Sequence, residues 1–177
     1  MCPYNKRMPT ASPDFALPDS ASTEALGAAL ARAFPARSTG AVVHLRGELG
    51  SGKTTCARSL LQALGVTATV RSPTYTLVDT YSTPALNLVH VDLYRLRSSA
   101  EVEELGLRDL TGPNSLMLIE WPEQGGTAVP PADLDLQLRY AGESRVAVLR
   151  AGSEVGLGWL ANLGLDTSLV PYVSNSA

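Results

Sequence analysis

Long apolar runs, cysteine, lysine and any excess of basic charge are what this 177-residue sequence is short of. No apolar run approaches the roughly 20 residues a membrane-spanning helix needs, so no membrane role is expected. Cysteine occurs only at Cys2 and Cys56, one in an irregular leader and one in a helix-like segment. That argues against a disulfide framework, and no Cys/His cluster has the spacing of a zinc site. The stretch from Met1 to Asp19 lacks the apolar core of a secretory signal. These absences together lead to the expectation of a reducing, cytoplasmic setting. The net charge of −3 excludes a general nucleic-acid coat. Among 14 basic residues the only lysines are Lys6 and Lys53, which makes the place of Lys53 informative.

What is present is enough apolar material, 45% of residues against 18% charged, to build the core of one domain. Residues 1–13 mix Pro, Ser, Thr and charge without period and read as a disordered leader. Phe15–Pro18 suggests a short strand. Leu26, Ala29, Leu30 and Phe34 then mark one face of a helix whose N-cap lies among Asp19, Ser20, Ser22 and Thr23. Ala41–Leu45 has the length and branching of a buried strand, and Ala57, Leu60, Leu61 and Leu64 give a second helix closed by Gly65. Residues 68–81 read as extended with a break at Pro73. Leu86–Leu93 and Ser115–Ile119 are further strands, and Ser98 with Glu101 forms a capping box for a short helix between them. Leu134–Tyr140 and Arg145–Leu149 flank a turn and predict a hairpin. Residues 153–177 are expected to form a last helix, over 154–164, and a frayed end. Alternation of strands and helices predicts an α/β sheet, with the main domain at 14–152.

Gly47-Glu-Leu-Gly-Ser-Gly52-Lys53-Thr54 matches G-x-x-x-x-G-K-[ST]. A nucleoside triphosphate is densely anionic. Backbone N–H groups at a helix N-terminus can surround it, helped by the helix dipole. Gly47, Gly50 and Gly52 leave room for that approach, Lys53 brings a cation to the β- and γ-phosphates, and the Thr54 hydroxyl suits magnesium. The loop follows a predicted strand and opens a predicted amphipathic helix, as this chemistry requires. ATP or GTP binding is the resulting expectation.

Such a site needs a carboxylate from the end of a neighbouring strand. Asp92 ends Leu88–Asp92 and Glu120 ends Leu116–Glu120, and their roles at metal and at water stay open between them. Arg71–Thr76 is rich in hydroxyls for a connector and reads either as a phosphate-sensing loop or as an edge strand. Period two places His90, Asp92 and Tyr94 on one polar strand face. Cys56 reads as a packing residue.

The motifs GELGSGKTT at 47–55, SPTYTLV at 72–78, HVDLYRL at 90–96 and IEWPEQG at 119–125 follow LPDSASTEALG at 17–27. In this order they resemble the TsaE (YjeE) family, the bacterial ATPases of tRNA threonylcarbamoyladenosine synthesis. The resemblance covers residues 14 to 150. It implies a P-loop NTPase-like three-layer domain with a mainly parallel sheet, helices on both faces and a C-terminal antiparallel hairpin. It also implies ATP and Mg²⁺ as cofactors, weak intrinsic ATPase activity and partnership with the TsaB–TsaD pair, tRNA being reached only through that pair. Carried over, the loop residues Gly47, Gly50, Ser51, Gly52, Lys53, Thr54 and Thr55 hold phosphates, with Thr54 and Glu120 at the metal. Lys53, Asp92 and Glu120 are the implied catalytic set. Ser72–Thr74 is the implied switch near the γ-phosphate, Trp121 stands beside the site, Thr23 approaches the base, and Arg145 reaches the nucleotide. Tyr75 stands where many relatives carry Phe. ATP over GTP rests on the resemblance alone.

Two other readings stand beside it. A small-molecule P-loop kinase needs an arginine-rich lid, and residues 123–133 contain no arginine. A nucleotide-dependent scaffold would bind without hydrolysis, but both acids are retained.

Overall fold

The computed structural model describes residues 14–35 and 40–174; the leader expected at 1–13 lies outside them. Seven strands form one mixed sheet: β1 Phe15–Leu17, β2 Ala41–Arg46, β3 Val78–Ser82, β4 Asn87–Asp92, β5 Ser115–Glu120, β6 Leu134–Ala141 and β7 Ser144–Ala151. Their order is β1-β7-β6-β2-β5-β4-β3. The four central strands β6, β2, β5 and β4 are parallel, and β1, β7 and β3 pair antiparallel at the edges. Ser115–Glu120 is buried at every position, the near-continuous apolar pattern of a strand covered on both faces.

Alternation along these strands divides the core. Val43, Leu45, Leu88, Leu116 and Leu118 face one side. There they meet α1 (Ser20–Ala33), α2 (Lys53–Ala63) and α4 (Glu154–Leu163). Val42, Val89, Val91, Met117 and Ile119 face the other. Helices were expected on both faces, and among the described residues this second one carries the five-residue α3 (Ser99–Glu103) and 3-10 turns. Leu107, Ala128 and Val129 cover it there. The α1 helix starts where expected: Asp19 accepts from the Ser22 N–H at 2.8 Å, and the Ser22 hydroxyl closes a capping box.

Two expectations change. The extended reading of 68–81 holds only from Val78, in β3; the chain before it is a loop whose hydroxyls are spent on a buried carboxylate rather than a ladder. The end expected to fray is built into the fold through Ser174. Trp159 is fully buried, donates to the Leu30 carbonyl at 2.9 Å and stacks edge-on to Phe34 at 4.9 Å. A 3-10 turn at Thr167–Tyr172 buries Leu169, and the Ser174 N–H donates to the Asp14 carbonyl at 2.7 Å. Apolar side chains in that tail outweigh its polar, irregular look.

Candidate functional site

At the C-terminal ends of β2, β4 and β5 the chain forms a cavity of about 290 Å³. Open α/β sheets place ligand sites at this edge. After β2 the chain turns sharply at Gly47 (φ 141°), where a Cβ would lie 2.3 Å from the Leu138 carbonyl oxygen. Gly52 is left-handed (φ 106°) and begins α2 without a side-chain cap. The first N–H groups of α2 are therefore not claimed by a capping side chain, and Lys53, Thr54 and Thr55 of that first turn line the cavity at the positive end of the helix dipole.

Lys53 is buried, at 4% exposure. Its Nζ donates to the carbonyls of Gly47 at 2.7 Å and Glu48 at 2.9 Å and lies 3.9 Å from the Trp121 ring centroid. Burial pushes its pKa below the ordinary lysine value, and the charges of Glu120, Asp92 and Glu123 oppose that. A desolvated ammonium at a loop floor gains most from an anion.

Asp92 and Glu120 sit side by side because β4 and β5 pair in register, Asp92 against Glu120. The Thr54 hydroxyl donates to Glu120 Oε2 at 2.9 Å, and His90 Nε2 donates to Glu120 Oε1 at 2.9 Å. Asp92 Oδ2 accepts from Ser72 and from Thr74 at 3.1 Å, while Oδ1 accepts from the Tyr94 N–H at 2.9 Å. The 72–74 segment is thus latched to the second acid.

Of the residues singled out from sequence, Gly50, Gly52, Lys53, Thr54, Thr55, Thr74, Asp92 and Glu120 line the cavity together. Gly47, Ser51, Trp121, Thr23 and Arg145 do not line it. Gly47 shapes the turn, and Ser51 is turned into the protein with its hydroxyl unpartnered among the described residues. Trp121, itself left-handed (φ 58°), stacks on Lys53 and lies 5.0 Å from Tyr94. Thr23 and Arg145 flank the loop: a Cβ on Gly52 would lie 3.2 Å from Thr23 Cγ2 and 3.8 Å from Arg145 Nε. The polar strand face is corrected too. Tyr94 lies beyond the end of β4, and Leu88 on the same face is apolar core, so polarity is confined to His90 and Asp92. Cys56 is fully buried, which pushes its thiol up to about 12 and leaves it inert.

Sequence reasoning missed Leu49, which lines the cavity, and Tyr140, whose hydroxyl donates to the Leu49 carbonyl at 3.0 Å and ties the hairpin to the loop. It also missed the His90–Glu120 contact. The Tyr140–Leu49 and His90–Glu120 contacts are long-range pairings without a local signal.

The donor set suits a magnesium nucleotide. Among the described residues no group of three or more His, Cys, Asp or Glu could cage a metal. One hydroxyl and one carboxylate leave the remaining positions to phosphate and water, which is how magnesium is usually held.

The family model described as "Threonylcarbamoyl adenosine biosynthesis protein TsaE" matches residues 17–147. The tRNA threonylcarbamoyladenosine biosynthesis protein TsaE of Haemophilus influenzae is 42% identical over 115 residues, covering 65% of this chain and 73% of its own. Its counterpart in Synechocystis is 38% identical over 117 residues, covering 64% and 72%. The crystal structure of Bacillus subtilis YdiB superposes with a TM-score of 0.72 at 26% identity, over 90% of this chain and 97% of that one.

Proposed function

The chain belongs to the TsaE family of threonylcarbamoyladenosine biosynthesis proteins, and on that premise we propose that it is an ATPase of this tRNA modification. It binds ATP with Mg²⁺, hydrolyses it slowly alone, and cycles a TsaB–TsaD complex that modifies the adenosine beside the anticodon. The observation that carries the reading is the convergence of Lys53, the Thr54–Glu120 pair and Asp92 on one cavity beneath the uncapped start of α2.

The chain's own groups divide the work. Lys53 leaves the Gly47 and Glu48 carbonyls for the β- and γ-phosphates, and the loop N–H groups hold the same oxygens. Thr54 and Glu120 would hold Mg²⁺, which when bound offsets the negative charge of the phosphates. Asp92, released by Ser72 and Thr74, orients a water in line with the γ-phosphorus. Arg145 and Thr23 flank the nucleotide from outside the loop. A kinase reading is disfavoured further by residues 122–129, which pack as 3-10 turns with Ala128 and Val129 buried rather than as an open lid.

The test is ATP turnover by the purified protein, alone and with TsaB and TsaD, beside Lys53→Ala. Slow turnover that rises sharply with the pair and vanishes in Lys53→Ala is expected. Nucleotide binding with no rise would overturn partner stimulation. Asp92→Ala is expected to bind ATP yet lose turnover at least about a hundredfold, the lower end for a positioned proton-transfer group. Full modification cycles by that variant would show hydrolysis to be dispensable and leave a switch that works by binding alone.

A further inference from the structure

His90 is a histidine with no exposure at all, beside a carboxylate exposed by only 2%. It lies two residues before Asp92 on β4 and opposite Leu118 on β5, so its ring reaches diagonally across the parallel pair to Glu120. The contact is 2.9 Å from Nε2 to Oε1. A carboxylate only accepts, so the proton in this contact sits on Nε2. The other nitrogen, Nδ1, is buried and has no hydrogen-bond partner among the described residues. The ring is therefore not held by a second polar contact. Its one bond is to the oxygen of Glu120 that does not face Thr54, while the facing oxygen, Oε2, accepts the Thr54 hydroxyl at 2.9 Å.

We infer that His90 is a positioning residue: it clamps Oε1 of Glu120 so that Oε2 stays aimed at Thr54 and the cation they share. This rests on the nucleotide reading above and adds a residue to it. A carboxylate has two chemically equal oxygens and a freely turning terminal bond. Alone, Glu120 would sample orientations that present neither oxygen to the metal. One directional donor behind it removes that freedom, and burial makes the donor hard for water to replace. Outer partners of this kind typically change metal affinity by roughly 10–100-fold. The same geometry explains the polar histidine in an otherwise apolar stretch of β4, between Val89 and Val91.

The experiment is a Mg²⁺ titration of nucleotide binding, read with a fluorescent ATP analogue, for the wild type, His90→Leu and His90→Gln. The glutamine amide places a donor near the position of Nε2; leucine fills the space without one. His90→Leu is expected to need on the order of tenfold more Mg²⁺. His90→Gln should recover most of the loss, and binding in EDTA should match across all three. A purely structural histidine would not give that split. Three equal Mg²⁺ curves overturn this inference alone. A wild type that binds no nucleotide overturns the nucleotide reading and this inference with it.

Should His90→Leu fail to fold, nitrogen-15 NMR of the wild type decides. A slowly exchanging Nε2–H resonance that moves in Glu120→Gln supports the clamp. A proton found on Nδ1 only overturns it.

Discussion

His44 shows what burial does to one titratable side chain. It lies on β2, with Nε2 donating to the Pro130 carbonyl at 2.9 Å and Nδ1 accepting from Arg46 at 3.3 Å. Burial holds its folded pKa below the ordinary 6.5, and the Pro130 carbonyl only partly offsets this. The unfolded chain therefore takes up the proton first. Stability is full above pH 6.5 and is lost as pH falls from there through the folded value. Urea midpoints should drop over that window and flatten there in His44→Gln. Equal slopes in the two proteins would show that other groups carry the acid sensitivity. Gly47 makes a different demand. Its φ of 141° and the Leu138 carbonyl 2.3 Å from a would-be Cβ mean that Gly47→Ala should destabilise. The strained dihedral alone accounts for roughly 1–3 kcal/mol, readable by urea unfolding. A variant as stable as the wild type would show that the loop relaxes freely.

At the scale of elements, α4 anchors α1, and α1 carries Thr23 to the edge of the glycine loop. Trp159 is the anchor, buried in the helix face and bonded to Leu30. Trp159→Ala should cost about 3–5 kcal/mol, measured as a lower unfolding midpoint. α1 is also tied at the surface to the 3-10 turn that follows α4, where Arg32 meets its cap Asp166 at 2.8 Å with the arginine side chain half exposed. Arg32→Ala should cost under about 1 kcal/mol, because water screens the pair and both side chains gain freedom when it breaks. Similar losses for the two variants would contradict this division of labour between burial and surface charge. The 71–77 loop is tied to the site through a single carboxylate. Its Ser72 and Thr74 hydroxyls occupy Asp92, so a ligand that competes for that carboxylate changes the loop as well.

At the scale of the whole molecule, a net charge of −3 sets what the protein binds without help. Association with tRNA alone is expected to be no tighter than the roughly micromolar range of non-specific binding, and to weaken steeply with salt. Filter binding at physiological salt checks this, and a nanomolar, salt-insensitive complex would mean direct recognition. Among the described residues no helix is long and apolar enough to cross a membrane.

The glycine loop, its lysine and threonine, and both strand-end acids were legible in the sequence, because each rests on local rules. Phosphate chemistry demands glycines and a lysine at set spacing. Period two marks the strands, and an acid at the end of an apolar strand stands out. The capping box at Ser98 follows from a neighbour three residues on, whereas the sequence offered only a set of N-cap candidates around Asp19. Only the tertiary structure decided which groups meet. Thr54 and Glu120 are 66 residues apart, and Trp159 and Leu30 are 129 apart. Parallel pairing of β4 with β5 set the two acids side by side and turned His90 onto Glu120. The tail looked loose for the same reason: its order comes from the burial of Leu169 and from the backbone bridge of Val173 to Phe15 on a distant strand, and no local pattern records a contact that chain closure must first create.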